Sequence, residues 1–319
     1  MLRLEDLTLN KRILVTGGHG FVGRNLVEFL RQLGFSDIIT PTSSDLNLCK
    51  QADTISYFET FKPTIVLHLA GLVGGIGVNR VRQAEFFYNN AMMGLNVLDS
   101  SYRIGVEKFV GLAAGCGYPV ESKYPMQETD FWNGLPDKNS LGYSMAKKNL
   151  IIHSWTLAEQ FGFNSTILLP ANIYGPYDNF NLDTSHVVPA LLLKIHRAKV
   201  KGSPSVSIWG SGRATREFLY VQDLVKAIVA SINIHSVGPY NVGTGVETSI
   251  SELIVECSKI VGYEGNFTYD PDMPDGQTRR FYDMGRFSED FGFTPDITLS
   301  HGLAETYAWC LKNQPEFSE

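Results

Sequence analysis

The sequence predicts an α/β fold built on a doubly wound parallel sheet, and three observations carry that prediction. A short apolar run, Lys11-Arg-Ile-Leu-Val-Thr16, empties into Gly17-Gly-His-Gly20-Phe-Val-Gly23 and then into a helical pattern from Arg24 to Leu33. Apolar runs of strand length recur downstream, most of them opening into a glycine-rich or polar segment before a helical stretch. The composition, 44% hydrophobic and 19% charged over 319 residues, suits one large or two closely joined packed domains.

In the first turn Gly17 permits the sharp reversal, Gly20 lets the backbone approach a pyrophosphate, and Gly23 allows close packing of the helix. Strand, glycine turn and helix in that order form the context of a dinucleotide-binding loop, here spaced Gly-x-x-Gly-x-x-Gly. A strand-to-helix turn without a ligand would look alike locally; its place at the head of an alternating chain favours the nucleotide. Asp37-Ile-Ile-Thr40 reads as the second strand and ends in Pro41-Thr-Ser-Ser44. That end has neither an acidic residue for a free ribose nor an Arg for a 2′-phosphate. The hydroxyls of Thr42, Ser43 and Ser44, helped by His19 or Arg24, can hold a phosphate, so residue type leaves NAD and NADP open. Asp45-Leu-Asn-Leu48 edges an adenine pocket or begins the next helix.

Pro63 to Ala70 is a stronger buried strand, and it empties into Gly71-Leu-Val-Gly-Gly-Ile-Gly77. Ligands collect at such carboxyl ends in open α/β sheets. A helix follows from Gln83 to Ser101, then the strand Lys108 to Ala113, which exits through Ala114-Gly-Cys-Gly-Tyr-Pro119. A loop over Gln127 to Ser140 leads into a helix bearing Tyr143 and Lys147, and Ser165 to Pro170 is one more buried strand, opening into Ala171-Asn-Ile-Tyr-Gly-Pro176. Residues 1–176 are thus expected to form a Rossmann-like dinucleotide-binding domain. Residues 177–319, where the alternation is less regular, are expected to form a smaller α/β substrate domain with segments near 215–245 returning to the first. In that half Ser185 to Lys194 reads as a helix, Val206 to Gly210 and Arg216 to Val221 as strands, Asp223 as the start of a helix, Tyr240 to Gly245 as a last sheet strand, and Ser249-Ile-Ser-Glu252 as a capping box.

The formal net charge of −6 and the absence of a basic run argue against a nucleic-acid partner. Cys49, Cys116, Cys257 and Cys310 are widely spaced and form no metal-binding pattern. The first ten residues lack the apolar stretch of a signal peptide, and no apolar run spans a bilayer. A cytoplasmic, reducing setting without membrane or metal is the expectation.

Tyr143 and Lys147 are four apart and share one face of a helix. A Lys⁺ beside a phenol is expected to lower the phenol's pKa from near 10 and make it a proton donor or acceptor near neutrality. The same lysine can reach a cofactor ribose. Chance Tyr-x-x-x-Lys spacings are frequent; this one sits downstream of a nucleotide loop and just ahead of a buried strand.

With these motifs in view the chain resembles the extended short-chain dehydrogenase/reductases that act on nucleotide sugars. Within them it is similar to the GDP-L-fucose synthase family of GDP-4-keto-6-deoxy-mannose 3,5-epimerase/4-reductases. The resemblance spans nearly the whole chain. It rests on Val73-Gly-Gly-Ile76, Cys116 two residues before Tyr118-Pro119, Tyr143-Ser-Met-Ala-Lys147, Pro170 to Phe180, Ser185-His-Val-Val-Pro189, Trp209-Gly-Ser-Gly212, Arg216-Glu-Phe218 and Pro274-Asp-Gly276. It implies Tyr143, Lys147, Cys116 and His186 as catalytic residues, with Cys116 and His186 the acid–base pair that inverts carbons 3 and 5. It implies cofactor contacts from Gly17, Gly20, Phe21, Val22, Gly23, Ser43, Leu46, Ala70, Gly71, Tyr143, Lys147, Pro170, Asn172 and Ile173, with NADP(H) preferred to NAD(H). It implies GDP-sugar contacts from Val73, Gly74, Gly75, Asn172, His186, Val187, Lys194, Trp209, Arg216 and Asp275. A homodimer through the helices near 83–101 and 143–160 is a further expectation. One residue departs from the pattern: the family has Ser or Thr where this chain has Ala114. That hydroxyl hydrogen-bonds the keto oxygen, and its loss leaves three readings open. A water or backbone N–H takes over; the enzyme epimerises without efficient reduction; or the substrate differs, for example a GDP-keto-heptose or a colitose-type precursor seated differently. A chain that binds nucleotide without catalysis is the rival from another class.

Overall fold

The computed structural model describes residues 9–270 and 277–318, so Asp275 lies outside the described residues. The first half alternates strand and helix. β1 (Ile13–Thr16) leads to α1 (Phe21–Gln32), β2 (Ile38–Ile39) to α2 (Gln51–Phe61), and β3 (Ile65–His68) to a short α3 (Ile76–Val81) and a long α4 (Gln83–Arg103). β4 (Lys108–Leu112), α5 (Leu141–Phe161) and β5 (Ser165–Pro170) complete it. Then come β6 (Asn172–Tyr174), α6 (Val187–Val200), β7 (Ser205–Trp209), β8 (Thr215–Arg216), β9 (Phe218–Tyr220), α7 (Val221–Ala230) and β10 (Gly238–Val242). β11 (Thr248–Ser249), α8 (Ile250–Val261), β12 (Asn266–Asp270), α9 (Gly285–Phe291) and α10 (Leu299–Asn313) end the described chain.

Six strands form one parallel sheet in the order β10-β5-β4-β3-β1-β2. β1, β3, β4, β5 and β10 are buried at every position, the mark of a sheet covered on both faces. β1 pairs with β2 on one side and β3 on the other, so the strand order reverses there and opens a crevice at the carboxyl ends. β10 enters the sheet beside β5 with Gly238 opposite Thr166, and α7 packs on α1. The remaining strands form three pairs: β6 with β9, β7 with β12, and β8 with β11. The Ser249 capping box is formed, with Glu252 N–H donating to Ser249 Oγ and Ser249 N–H to Glu252 Oε2.

The structure departs from the sequence reading in several places. Residues 45–48 form a turn closed by Asp45 and Leu46 N–H on Thr42 O, and the helix starts only at Gln51. A short helix, α3, begins inside the segment read as a glycine loop. β12, α9 and α10 lack a strong period in the sequence and take shape against β7, β10 and α8.

Candidate active site

The first turn is a backbone cradle. Gly17 has φ +74°, and a Cβ there would stand 2.8 Å from Ala70 N; a Cβ on Gly23 would stand 2.1 Å from Gly17 O. Side chains are excluded because main chain meets main chain. α1 begins at Phe21 with Gly20 as its N-cap and no side chain capping it, so the first amides of a twelve-residue helix keep their hydrogens for a ligand. Phe21 and Val22 are half-buried beside it, and Ala70 and Gly71 border it from β3. A cradle that any Cβ would fill fits a dinucleotide's pyrophosphate. Beneath it Thr16 Oγ1 and His68 Nδ1 share a buried 2.8 Å hydrogen bond, and burial with nearby Lys147 holds His68 down at about 3.

At the end of β2 the hydroxyls are partly committed. Thr42 gives its N–H and its Oγ1 to the Asp45 carboxylate at 2.9 and 2.6 Å, and Ser44 Oγ lies 2.8 Å from Thr42 Oγ1. Ser43 is exposed at the tip, while Leu46 is buried in the core. His19 Nε2 meets Thr40 O at 2.9 Å, and Arg24 Nε donates to His19 O at 3.0 Å while its guanidinium sits 5.4 Å from the centre of the Tyr177 ring, so both lie at this rim.

α5 brings the chemistry to the carboxyl end of β4. Tyr143 and Lys147 share a face, but Lys147 Nζ donates to Leu112 O at 2.9 Å and lies 5.8 Å from the Tyr143 ring centre. Burial depresses Lys147 to about 8, with Cys116 acting in the opposite sense. Burial, reinforced by Cys116, raises the Tyr143 phenol above its usual range. The expected lowering of Tyr143 by its lysine is therefore corrected: desolvation outweighs a charge directed at a carbonyl. Tyr143 stands as a proton donor, not a phenolate.

Cys116 lies in a 3-10 turn, Gly115–Gly117, that follows β4. Ser144, next to Tyr143 on α5, places its Oγ 3.0 Å from Cys116 O and 3.2 Å from Cys116 Sγ. Tyr143, Lys147 and Cys116 thus meet at one point, beside Ala114. Opposite, the loop Val73-Gly-Gly75 meets the segment before α6, since a Cβ on Gly75 would stand 3.7 Å from Ser185 O. Asn90 braces that loop through Leu72, accepting its N–H at 2.9 Å and donating to its carbonyl at 3.0 Å. His186 is the N-cap of α6, solvent-accessible, yet crowding around its ring lowers its pKa. Val187 is half-buried behind it, and Val73 is 56% exposed at the loop.

Lys194 Nζ stands 5.1 Å above the Trp209 ring, and Trp209 is 59% exposed, so this indole is no core residue. Asn172, half-buried on β6, donates its N–H to Glu217 O; Ile173 follows it half-buried, and Pro170 ends β5 buried. Arg216 on β8 donates to Thr215 O at 2.7 Å, and its charge acts on Tyr282. The sequence reading passed over Tyr282 and Glu217. Glu217 is buried, pushed up to about 7, and accepts Gly245 N–H and Tyr282 N–H at 2.6 and 2.9 Å. Its place inside Arg216-Glu-Phe218 was a signal; Tyr282 had none, because only tertiary folding carries it to Cys116. Among the described residues no group of three or more His, Cys, Asp or Glu is placed to hold a metal, and no helix is long and apolar enough to cross a membrane.

Residues 13–243 match the family model described as the NAD-dependent epimerase/dehydratase family, and the chain belongs to that family. It is an enzyme of the short-chain dehydrogenase/reductase type that uses NAD(P). Among its relatives is GDP-L-fucose synthase 1 of Arabidopsis thaliana, 37% identical over 303 residues that cover 95% of this chain and 94% of the relative. A solved GDP-6-OMe-4-keto-L-xylo-heptose reductase from C. jejuni superposes with a TM-score of 0.90 at 28% identity, covering 97% of this chain and 99% of that one. A GDP-L-fucose synthetase from Naegleria fowleri, solved with NADP bound, superposes at 0.86 with 27% identity over 96% of each chain.

Proposed function

We propose that the chain catalyses 3,5-epimerisation and 4-keto reduction of a GDP-4-keto-(deoxy)sugar, with NADP(H) preferred to NAD(H). The observation that carries this is the meeting of Tyr143, Lys147 and Cys116 at the carboxyl end of β4, within reach of the glycine cradle. A keto group at carbon 4 acidifies the protons on carbons 3 and 5. Cys116 removes a proton from one face and leaves an enolate, and His186 returns one on the other. A nicotinamide dinucleotide held by the Gly17–Gly23 cradle would supply the hydride for carbon 4. Tyr143, protonated by its buried setting, gives its proton to the oxygen, while Lys147 keeps positive charge nearby and reaches the ribose.

Arg216 supplies a forked donor for the diphosphate. The exposed Trp209–Lys194 pair offers a π-face and a cation to the nucleotide. Val73, Gly74, Gly75, Asn172 and Val187 line the sugar, and Asp275 joins them on sequence alone. Ser43 with Arg24 and His19 at the rim supports NADP(H), as does the NADP-bound relative. The relatives' names, each a GDP-sugar enzyme, favour this reading over an epimerase without reduction or a chain without catalysis. A homodimer through α4 and α5 is supported by exposed Phe87, Tyr88, Ile152 and Phe161 on those helices. A cytoplasmic setting is supported by four unpaired cysteines.

The test is the product made from GDP-4-keto-6-deoxy-mannose with NADPH in heavy water, read by mass. Deuterium at carbons 3 and 5 with a reduced carbon 4 is the expected result. Deuterium without reduction would leave an epimerase, and neither would remove this substrate.

A further inference from the structure

Ala114 leaves a chemical gap. The oxygen on carbon 4 gathers negative charge twice, as an enolate when carbon 3 or 5 loses its proton and as an alkoxide when hydride arrives. A fixed donor at such an oxyanion is worth about 10²–10³ in rate. Neither Ala113, Ala114 nor Gly115 carries a hydroxyl. The other hydroxyls near the turn are engaged: Ser144 Oγ with Cys116 O and Sγ, and Tyr118 Oη with Asn241 Oδ1 at 2.7 Å.

Tyr282 is different. Its hydroxyl fills the space of the side chain Gly115 does not have, 1.5 Å from where a Cβ would stand. Glycine at 115 is thus the condition for a phenol to lie against the backbone between Ala114 and Cys116. Tyr282 is 2% exposed, its ring stacks on Tyr118 at 5.6 Å, and its N–H is fixed on Glu217 Oε2, so the mounting is rigid. Among the described residues no hydrogen bond to its hydroxyl is found. A hydroxyl whose proton is not committed elsewhere is a natural complement to a ligand oxygen. Burial raises the phenol's pKa, so it is a protonated donor, and it lies against the turn that carries Cys116.

We propose that the Tyr282 phenol is the donor this chain uses in place of a hydroxyl at Ala114, hydrogen-bonding the oxygen on carbon 4 of the keto sugar. It transfers no proton; Tyr143 does. The assignment rests on the function proposed above and names the residue that lets reduction proceed without the family's hydroxyl.

The experiment compares the native protein with Tyr282→Phe and the double variant Ala114→Ser/Tyr282→Phe, each with an unchanged melting temperature required. Deuterium exchange at carbons 3 and 5 without NADPH and single-turnover hydride transfer with NADPH are both followed. Tyr282→Phe is expected to slow both steps about 10²–10³-fold, because both build charge on the same oxygen. The double variant is expected to recover at least about tenfold of that loss, which a packing role for Tyr282 would not produce. Exchange and reduction in Tyr282→Phe within about threefold of native, or a slow double variant, would overturn the assignment while leaving the proposed function intact. A native protein inactive in both assays would overturn the function and the assignment with it.

Discussion

Two glycine turns close the carboxyl ends of neighbouring parts of the sheet, and they are glycine for opposite reasons. At Gly17–Gly23, after β1, backbone approaches backbone: Gly23 against Gly17 O, Gly17 against Ala70 N. At Gly115–Gly117, after β4, distant aromatic rings occupy the missing side chains' space: Tyr282 Oη at Gly115, and Phe131 Cζ 2.3 Å from a Cβ on Gly117. The first turn is main chain against main chain, from its own strand–turn–helix unit and from the end of β3. The second is an assembly, and its glycines make sense only with the rings that reach them.

That contrast can be broken by rescue. Gly23→Ala sets a methyl into a carbonyl, which no side-chain trimming relieves. It is expected to cost about 3 kcal/mol or more and to abolish NADPH binding, read by thermal melts and by cofactor fluorescence. Gly117→Ala sets a methyl into the Phe131 ring and is expected to cost about 1–3 kcal/mol. Adding Phe131→Leu should recover most of that loss. If a second substitution rescues Gly23→Ala but none rescues Gly117→Ala, the distinction falls.

The smallest effect, taken per pH unit, sharpens the first turn. His68 underpins it neutral, at about 3 against an ordinary 6.5. Between those values the unfolded chain binds a proton that the folded chain refuses, so stability rises with pH by about 1.4 kcal/mol per unit and levels above 6.5. Native protein should lose stability relative to His68→Asn as pH falls from 6.5 toward 3 in denaturant titrations, and a constant difference would mean that His68 protonates in place.

The motifs made much of the site legible. Gly17-Gly-His-Gly20 and the Tyr143–Lys147 spacing are short-range patterns, and the buried strands announce themselves as continuous apolar runs. The protonation of Tyr143 was not legible, because spacing shows that a lysine is near but not that its ammonium is turned to Leu112 O. Nor was the exposure of Trp209. β12, α9 and α10 escaped because their burial pattern depends on partners elsewhere in the chain.

By itself the sequence determined the alternating α/β class, the nucleotide turn, the enzyme family and the residue types at the reacting end. These are encoded in periodicity and in side-chain chemistry at fixed local spacing. Only the tertiary structure decided which groups face one another: Ser144 against Cys116, Lys194 over Trp209, and Tyr282 in the space left by Gly115. The physical reason is that charge, desolvation and close packing act through distance in space, and the residues that set them for Cys116 and Tyr143 come from separate segments of the chain.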